Sequence, residues 1–238
     1  MAEPFHLLHF STLTSTSDWA REQLDQLADH TVVVADVQTG GRGRKGRGWH
    51  SELGGLYFTW IFRSPLPIRQ QPHYAQVAAL AIAHWLEKEG AVPELKWPND
   101  LLVNGAKISG ILLDAVGDGE ARRLLLGIGL NVSNRPQVVD YPTTSLKEVT
   151  GKSYSTAAVL KELLEQLRTS FQLLEEAGMR PFAKQLSRFN HLVGKEQKLL
   201  VGEKLICGVV EGINEEGALL FRSSDGELRV VWSGELIL

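Results

Sequence analysis

The sequence predicts an α+β fold: a mixed, largely antiparallel sheet with flanking helices, followed by a small C-terminal β-barrel. Three observations predict it. Apolar runs between residues 101 and 132 are joined by two tight-turn signals, Asn104-Gly105 and Gly117-Asp118-Gly119, so the chain returns on itself as hairpins. Val159, Leu160, Leu163, Leu164, Leu167, Phe171 and Leu174 recur at spacings of three and four, one face of a long helix from Thr156 to Leu174. From Leu192 the pattern changes to short alternating segments, 198–201, 204–211, 217–221 and 227–232, separated by polar turns. The boundary falls near residue 190, giving domains 1–190 and 191–238.

In order along the chain, Phe5 to Phe10 reads as a short strand. The Ser/Thr-rich stretch 11–17 ends where an amphipathic helix starts. Its cap is Ser17, Asp18 lies in its first turn, and Ala20, Leu24 and Leu27 share a face. Thr31 to Val37 is a buried β-branched strand, and Gly54 to Phe62 a second core strand that Pro65 and Pro67 terminate. A helix follows from Pro72 to about Glu89, stopped by Gly90. Glu94 to Trp97 is a short strand, and Lys107 to Val116 and Arg122 to Val132 are hairpin strands. Residues 133–154 are polar and turn-rich, and Pro181 opens a short helix to about Asn190.

Composition removes whole classes of function. With 43% hydrophobic residues in 238, a sizeable core can form, and a net charge of −3 argues against a generally basic nucleic-acid binder. The single cysteine, Cys207, excludes internal disulfides and Cys-rich zinc sites, and reads as a small buried apolar residue. None of the seven histidines has metal-ligand spacing. No stretch approaches the ~20 apolar residues of a membrane span. Met1-Ala2-Glu3-Pro4 is no signal peptide, so the chain reads as cytoplasmic.

Four stretches carry chemistry. Gly40-Gly41-Arg42-Gly43-Arg44-Lys45-Gly46-Arg47-Gly48 holds five glycines and four cations, which repel one another and build no core. It reads as a mobile loop that an anion orders, with glycine amides and arginine forks facing phosphate or carboxylate. It satisfies a GxGxxG pattern, but a strand rather than a helix follows, and residues 57–70 lack the acidic ribose ligand of a dinucleotide site. Lys96-Trp97-Pro98-Asn99-Asp100 places Asn99 and Asp100 at an element boundary, free to face a ligand or to make an ordinary turn. Lys107-Ile108-Ser109-Gly110 begins an apolar strand with a lysine and carries a glycine that marks close approach of a ligand or backbone. Gly127-Ile128-Gly129-Leu130-Asn131 ends a core strand on Asn131, a functional group or a satisfied turn residue.

Together, in this order and spacing, the four stretches resemble the biotin protein ligases, also called biotin–[acetyl-CoA-carboxylase] ligases, across essentially the whole chain. The departure is Ser15-Thr16-Ser17, where the family has Ser-Thr-Asn. The resemblance implies the biotin/lipoate ligase, class II synthetase-like catalytic fold and a C-terminal SH3-like barrel. It implies a two-step reaction in which biotin and ATP give biotinyl-AMP, and the biotinyl group then passes to a lysine of a biotin carboxyl carrier protein. Arg42 and Lys107 would hold the carboxylate and α-phosphate. Ser15, Thr16, Ser17, Gln38, Gly41, Gly43, Arg44 and Gly110 would line the biotin site. Arg44, Arg47, Trp49, Lys96, Asn99, Asp100 and Asn131 would lie on the adenylate side. Mg2+ would be held mainly by phosphates, with Asp100 as a protein contributor. Family members often dimerise through the catalytic sheet. The chain starts at the catalytic domain, so no DNA-binding repressor activity is expected, and no membrane partner. A lipoyl or octanoyl transferase and an Arg-Gly nucleic-acid binder are the competing readings. The only cysteine lies in the barrel segment, which disfavours the cysteine-dependent octanoyl transferases.

Overall fold

The computed structural model describes residues 4–119, 122–137 and 141–237. Residues 1–3 of the N-terminal reading, 120–121 of the second hairpin and 138–140 of the polar stretch lie outside the described residues.

Seven strands form a mixed sheet: β1 His6–Leu13, β2 Thr31–Gln38, β3 Leu56–Phe62, β4 Pro93–Lys96, β5 Asp100–Val103, β6 Ala106–Val116 and β7 Arg123–Leu130, in the order β1-β2-β3-β7-β6-β5-β4. β1 and β2 are parallel, whereas the β2–β3, β3–β7, β6–β7 and β4–β5 pairs are antiparallel. Five further strands, β8 Glu196–Val201, β9 Lys204–Ile213, β10 Leu219–Ser223, β11 Leu228–Val231 and β12 Glu235–Ile237, make an antiparallel sheet ordered β11-β10-β9-β8-β12. The predicted fold class stands. The chain divides into two compact units, Met1–Pro72 with Gly105–Glu162, and His73–Asn104 with Leu163–Leu238.

In the first unit every residue of β3 and β7 is buried, as their nearly continuous apolar runs dictate. Leu56, Phe58, Ile61 and Phe62 each contribute about 1.5–3 kcal/mol by leaving water. Helix α1, Thr16–Glu22, lays Ala20 onto a cluster of Leu24, Val33, Ile61 and Leu125. Its cap is Ser15 and not Ser17: the Ser15 side chain accepts from the Asp18 amide at 3.3 Å, which starts the helix two residues early and turns Thr16 and Ser17 inward. The polar stretch 133–154 contains a short helix, α3 Leu146–Thr150, with a complete Ser145/Glu148 capping box. Arg123 enters the buried interior from β7. Its guanidinium donates to the carbonyls of Leu24 (2.7 Å), Leu27 (2.8 Å) and Ala28 (2.8 Å), and it pairs with Asp29 at 3.3 Å.

The second unit contains α2 His73–Lys88, α5 Arg180–Phe189, the part of α4 (Thr156–Ala177) from Leu163 onward, and the five-stranded sheet. Tyr74 stacks edge-on against Phe171 at 4.8 Å and donates to Glu175, and Gln76 donates to the Gly217 carbonyl. Cys207 is exposed, contrary to the sequence reading. It pairs with Lys198 on the face of the sheet opposite to buried Leu199, so strand alternation sends it outward.

Burial pushes the imidazoles of His73, His84 and His191, all in this unit, below their ordinary range. The folded state therefore favours their neutral forms, and unfolding takes up protons in acid. Their contribution is fully present above about pH 6.5 and is lost as the pH falls through the folded-state values. The melting temperature is expected to drop between about pH 7.5 and about pH 5, and to drop less when all three are replaced by glutamine. An unchanged slope in the triple variant would contradict this.

Candidate active site

Residues 40–48 form a closed loop in the first unit. Arg42 and Gly48 bridge, Trp49 N donates to Gly41 O (2.8 Å), Gly43 N donates to Arg47 O (2.7 Å), and Arg44–Gly46 makes a tight turn. Gly41 is required by packing: a β-carbon there would lie 2.4 Å from the Trp49 carbonyl and 2.8 Å from Ser51 Oγ. The Arg42 guanidinium donates to Asp18 Oδ1 at 2.6 Å. Arg21 shares that carboxylate at 3.2 Å and reaches Asp114 at 2.5 Å. Arg42 thus brings a charge that two carboxylates already balance, and an incoming anion must compete for it.

Behind the loop lies a polar network whose direction follows from counting protons. Thr16 Oγ1 donates to Gln38 Oε1 at 3.1 Å, because a carbonyl oxygen only accepts. With that proton used, the 2.9 Å contact between Thr16 and Thr59 hydroxyls has Thr59 donating. The 3.0 Å contact between Ser17 and Thr59 then has Ser17 donating. On the other side Gln38 Nε2 donates to Ser51 Oγ (2.7 Å), and Ser51 to the Trp49 carbonyl (3.2 Å). Each hydroxyl proton is spent inside the network, so Ser17 Oγ offers a ligand lone pairs. That suits an N–H donor.

Two glycines on one face of β7 set the floor. A β-carbon at Gly127 would lie 2.9 Å from Ser17 Oγ, and one at Gly129 would lie 2.4 Å from the Trp49 indole. Gly110 pairs with Gly129 across β6. Gly127 and Gly129 are roughly 7 Å apart along the strand. The two glycines thus seat the hydroxyl network and Trp49 side by side, and Trp49 Nε1 is buried without a hydrogen-bond partner. Above Trp49 stands the Lys107 ammonium, 5.2 Å from the indole ring and 5.6 Å from the ring of Tyr141. Asn131 Nδ2 donates to Thr144 O (2.9 Å) and Lys107 O (3.4 Å), which fixes the amide orientation and leaves Oδ1 buried and unpaired.

The structure thus brings together Thr16, Ser17, Gln38, Gly41, Trp49, Lys107, Gly110 and Asn131, with Ser15 as the helix cap beside them. Gly43, Arg44 and Arg47 lie on the loop's outer part, where Arg47 Nε reaches Arg44 O at 3.4 Å. Lys96, Asn99 and Asp100 belong to the second unit, on the turn between β4 and β5, where Lys96 pairs with Asp100 and Asn99 is buried. Sequence reasoning missed Thr59, Ser51 and Tyr141, whereas Gly127 and Gly129 lie in the fourth of the stretches it singled out. Thr59 did have a signal: it is the one polar side chain other than Tyr57 in the otherwise apolar run Leu56–Phe62. Among the described residues no group of three or more His, Cys, Asp or Glu is placed to hold a metal, and no helix is long and apolar enough to cross a membrane.

Residues 7–131 match the biotin/lipoate A/B protein ligase family. The chain is similar to the bifunctional ligase/repressor BirA of Bacillus subtilis, 30% identical over 243 residues, 98% of this chain and 74% of that protein. It is also similar to the biotin–[acetyl-CoA-carboxylase] ligase of Paracoccus denitrificans, 30% identical over 89% of this chain and 92% of that protein. Among solved structures it resembles a biotin protein ligase from Aquifex aeolicus in complex with biotin and ATP. That likeness has a TM-score of 0.81 and 29% identity, over 98% of this chain and 97% of that one.

Proposed function

Because the chain belongs to the biotin/lipoate A/B protein ligase family, we propose that it is a biotin protein ligase. It activates biotin with ATP and transfers the biotinyl group to a lysine of the carrier domain of acetyl-CoA carboxylase. One observation carries the reading. Ser17 Oγ lies against Gly127, the Trp49 indole against Gly129, and the Lys107 ammonium 5.2 Å from that indole, so hydroxyls that accept hydrogen bonds stand at one end of a row of contacts and a cation at the other. Biotin has the matching polarity, with ureido N–H groups at one end and a carboxylate at the other.

In the first step a biotin carboxylate oxygen bonds to the α-phosphorus of ATP and the α–β anhydride breaks, releasing pyrophosphate. Both reactants are anionic, so Lys107 and Arg42 act by offsetting their repulsion. Ser15, Thr16, Ser17 and Gln38, with Gly41, Gly43, Arg44 and Gly110, form the biotin side. Arg44, Arg47, Trp49, Lys96, Asn99, Asp100 and Asn131 serve the nucleotide. Mg2+ would be held mainly by the phosphates, with Asp100 the carboxylate that the protein would offer it. In the second step the acceptor's neutral amine attacks the biotinyl carbonyl, the C–O bond to AMP breaks, and the amine loses a proton. The loop 40–48 acts as a lid that keeps water from the mixed anhydride.

The proposal divides function at residue 190, with catalysis in 1–190 and a C-terminal SH3-like domain in 191–238. It places the protein in the cytoplasm and includes pairing of two copies through the catalytic sheet. The test is incubation with biotin, MgATP and a purified carrier domain, reading the acceptor's mass. A biotin- and ATP-dependent gain on one lysine is expected. No gain, or an equal gain with lipoate in place of biotin, overturns the reading.

A further inference from the structure

We propose that Tyr141 is a positioning residue that holds the Lys107 ammonium at the anionic end of the site, an inference that rests on the ligase reading. Lysine is a point charge on a flexible four-carbon stem, so something must fix its position before it can organise two anions. Here two aromatic faces do so, Trp49 at 5.2 Å and Tyr141 at 5.6 Å, both within cation–π range. Such faces attract a cation through the ring quadrupole.

The two faces differ in how they are held. Trp49 closes the Arg-Gly loop and travels with it. Tyr141 opens a strap, residues 141–144, stitched to the backbone of Lys107 itself. Lys107 N donates to Pro142 O (2.8 Å), Thr144 N donates to Lys107 O (3.0 Å), and Lys107 and Thr143 form a parallel bridge. Asn131 clamps both sides of this join through its amide nitrogen. Thr143 Oγ1 ties the strap to Pro136 O at 2.8 Å, and Leu146 N donates to Asn131 O at 2.9 Å. The backbone that follows Tyr141 is therefore tied to the very residue whose ammonium the tyrosine ring faces. When the loop opens to admit substrates, the tyrosine face remains.

The test compares Tyr141→Phe, which keeps the ring, with Tyr141→Leu, which keeps apolar bulk and loses the π face. Biotin-dependent pyrophosphate exchange is followed, with thermal melting as the fold control. The phenylalanine variant is expected within about twofold of the parent, and the leucine variant about three- to thirtyfold lower in kcat/KM for biotin at an unchanged melting temperature. Equal activity of both variants, or equal losses in both, overturns the proposal. A second readout needs no substrate: acylation of Lys107 by an amine reagent at fixed pH, read by mass spectrometry. The leucine variant should be labelled faster and the phenylalanine variant like the parent. If the parent shows no exchange, the ligase reading fails, and the labelling still decides whether Tyr141 holds Lys107.

Discussion

Lys107→Gln is expected to lower biotin-dependent pyrophosphate exchange about 10²- to 10³-fold, the effect of removing one preorganised charge-stabilising donor from a reacting centre. Glutamine keeps much of the stem that lies between Trp49 and Tyr141, so the fold should persist. Arg42→Gln provides the comparison. Arg42 is already engaged by Asp18 at 2.6 Å, with Asp114 at 3.9 Å. An incoming anion gains from it only the difference between two ion pairs. A partly exposed pair of that kind is worth about 0–1 kcal/mol. Lys107 stands against the aromatic faces of Trp49 and Tyr141. The loss at Lys107 should therefore exceed the loss at Arg42. Exchange within tenfold of the parent in the Lys107 variant, or a larger loss at Arg42, contradicts the ranking.

Arg123→Leu is expected to destabilise the first unit by about 3–5 kcal/mol, the range for removing one partner of a buried charged pair. Leucine fills the aliphatic space but takes the donor from the Leu27 carbonyl and one of two donors from the carbonyls of Leu24 and Ala28, which keep Leu27 N (3.2 Å) and Thr31 Oγ1 (2.7 Å); Asp29 keeps Arg63, at 3.2 Å. Asp29 keeps Arg63 and some access to water, so most of the loss comes from the carbonyls, about 1–3 kcal/mol for the Leu27 carbonyl left unsatisfied and the rest from the charged hydrogen bonds lost at Leu24 and Ala28. For a chain of this size the melting temperature should fall by about 6–20 °C. The same segment supports α1, which carries Thr16 and Ser17. Biotin affinity should weaken in parallel even though no ligand-facing atom changes. A melting shift under about 3 °C would show that the turn finds other donors.

Much of the fold was legible because apolar pattern and turn chemistry agreed. Thr31–Gln38 and Leu56–Phe62 are buried strands as their sequences suggest, and Asn104-Gly105 joins β5 to β6 with both residues at positive φ. α4 reads directly from its leucine spacing, although it runs on to Ala177. What escaped had either a short signal or a non-local cause. The capping box Ser145-Leu146-Lys147-Glu148 was visible but sat in a stretch dominated by turn residues. β12 has three residues, too few to alternate visibly. The helix cap fell on Ser15 because Thr16 and Ser17 are needed by Thr59 and Gln38, partners 42 or 43 and 22 residues away. The cage around Lys107 was beyond a local reading, since Trp49 and Tyr141 meet it only through the sheet. Motif spacing marked the chemistry of the lysine; only the fold identified what holds it.

The interleaving of the two units has a consequence during translation. β3 is complete at Phe62, yet its partner β7 ends at Leu130, about 70 residues later, with a segment of the other unit made in between. At ribosomal speeds of about 5–20 residues per second, that is about 4 to 14 seconds. Throughout it, one side of Leu-Tyr-Phe-Thr-Trp-Ile-Phe has an unpaired backbone and no finished core to enter. Seven residues of high β propensity without a charge or a proline have the make-up of an aggregation-prone segment.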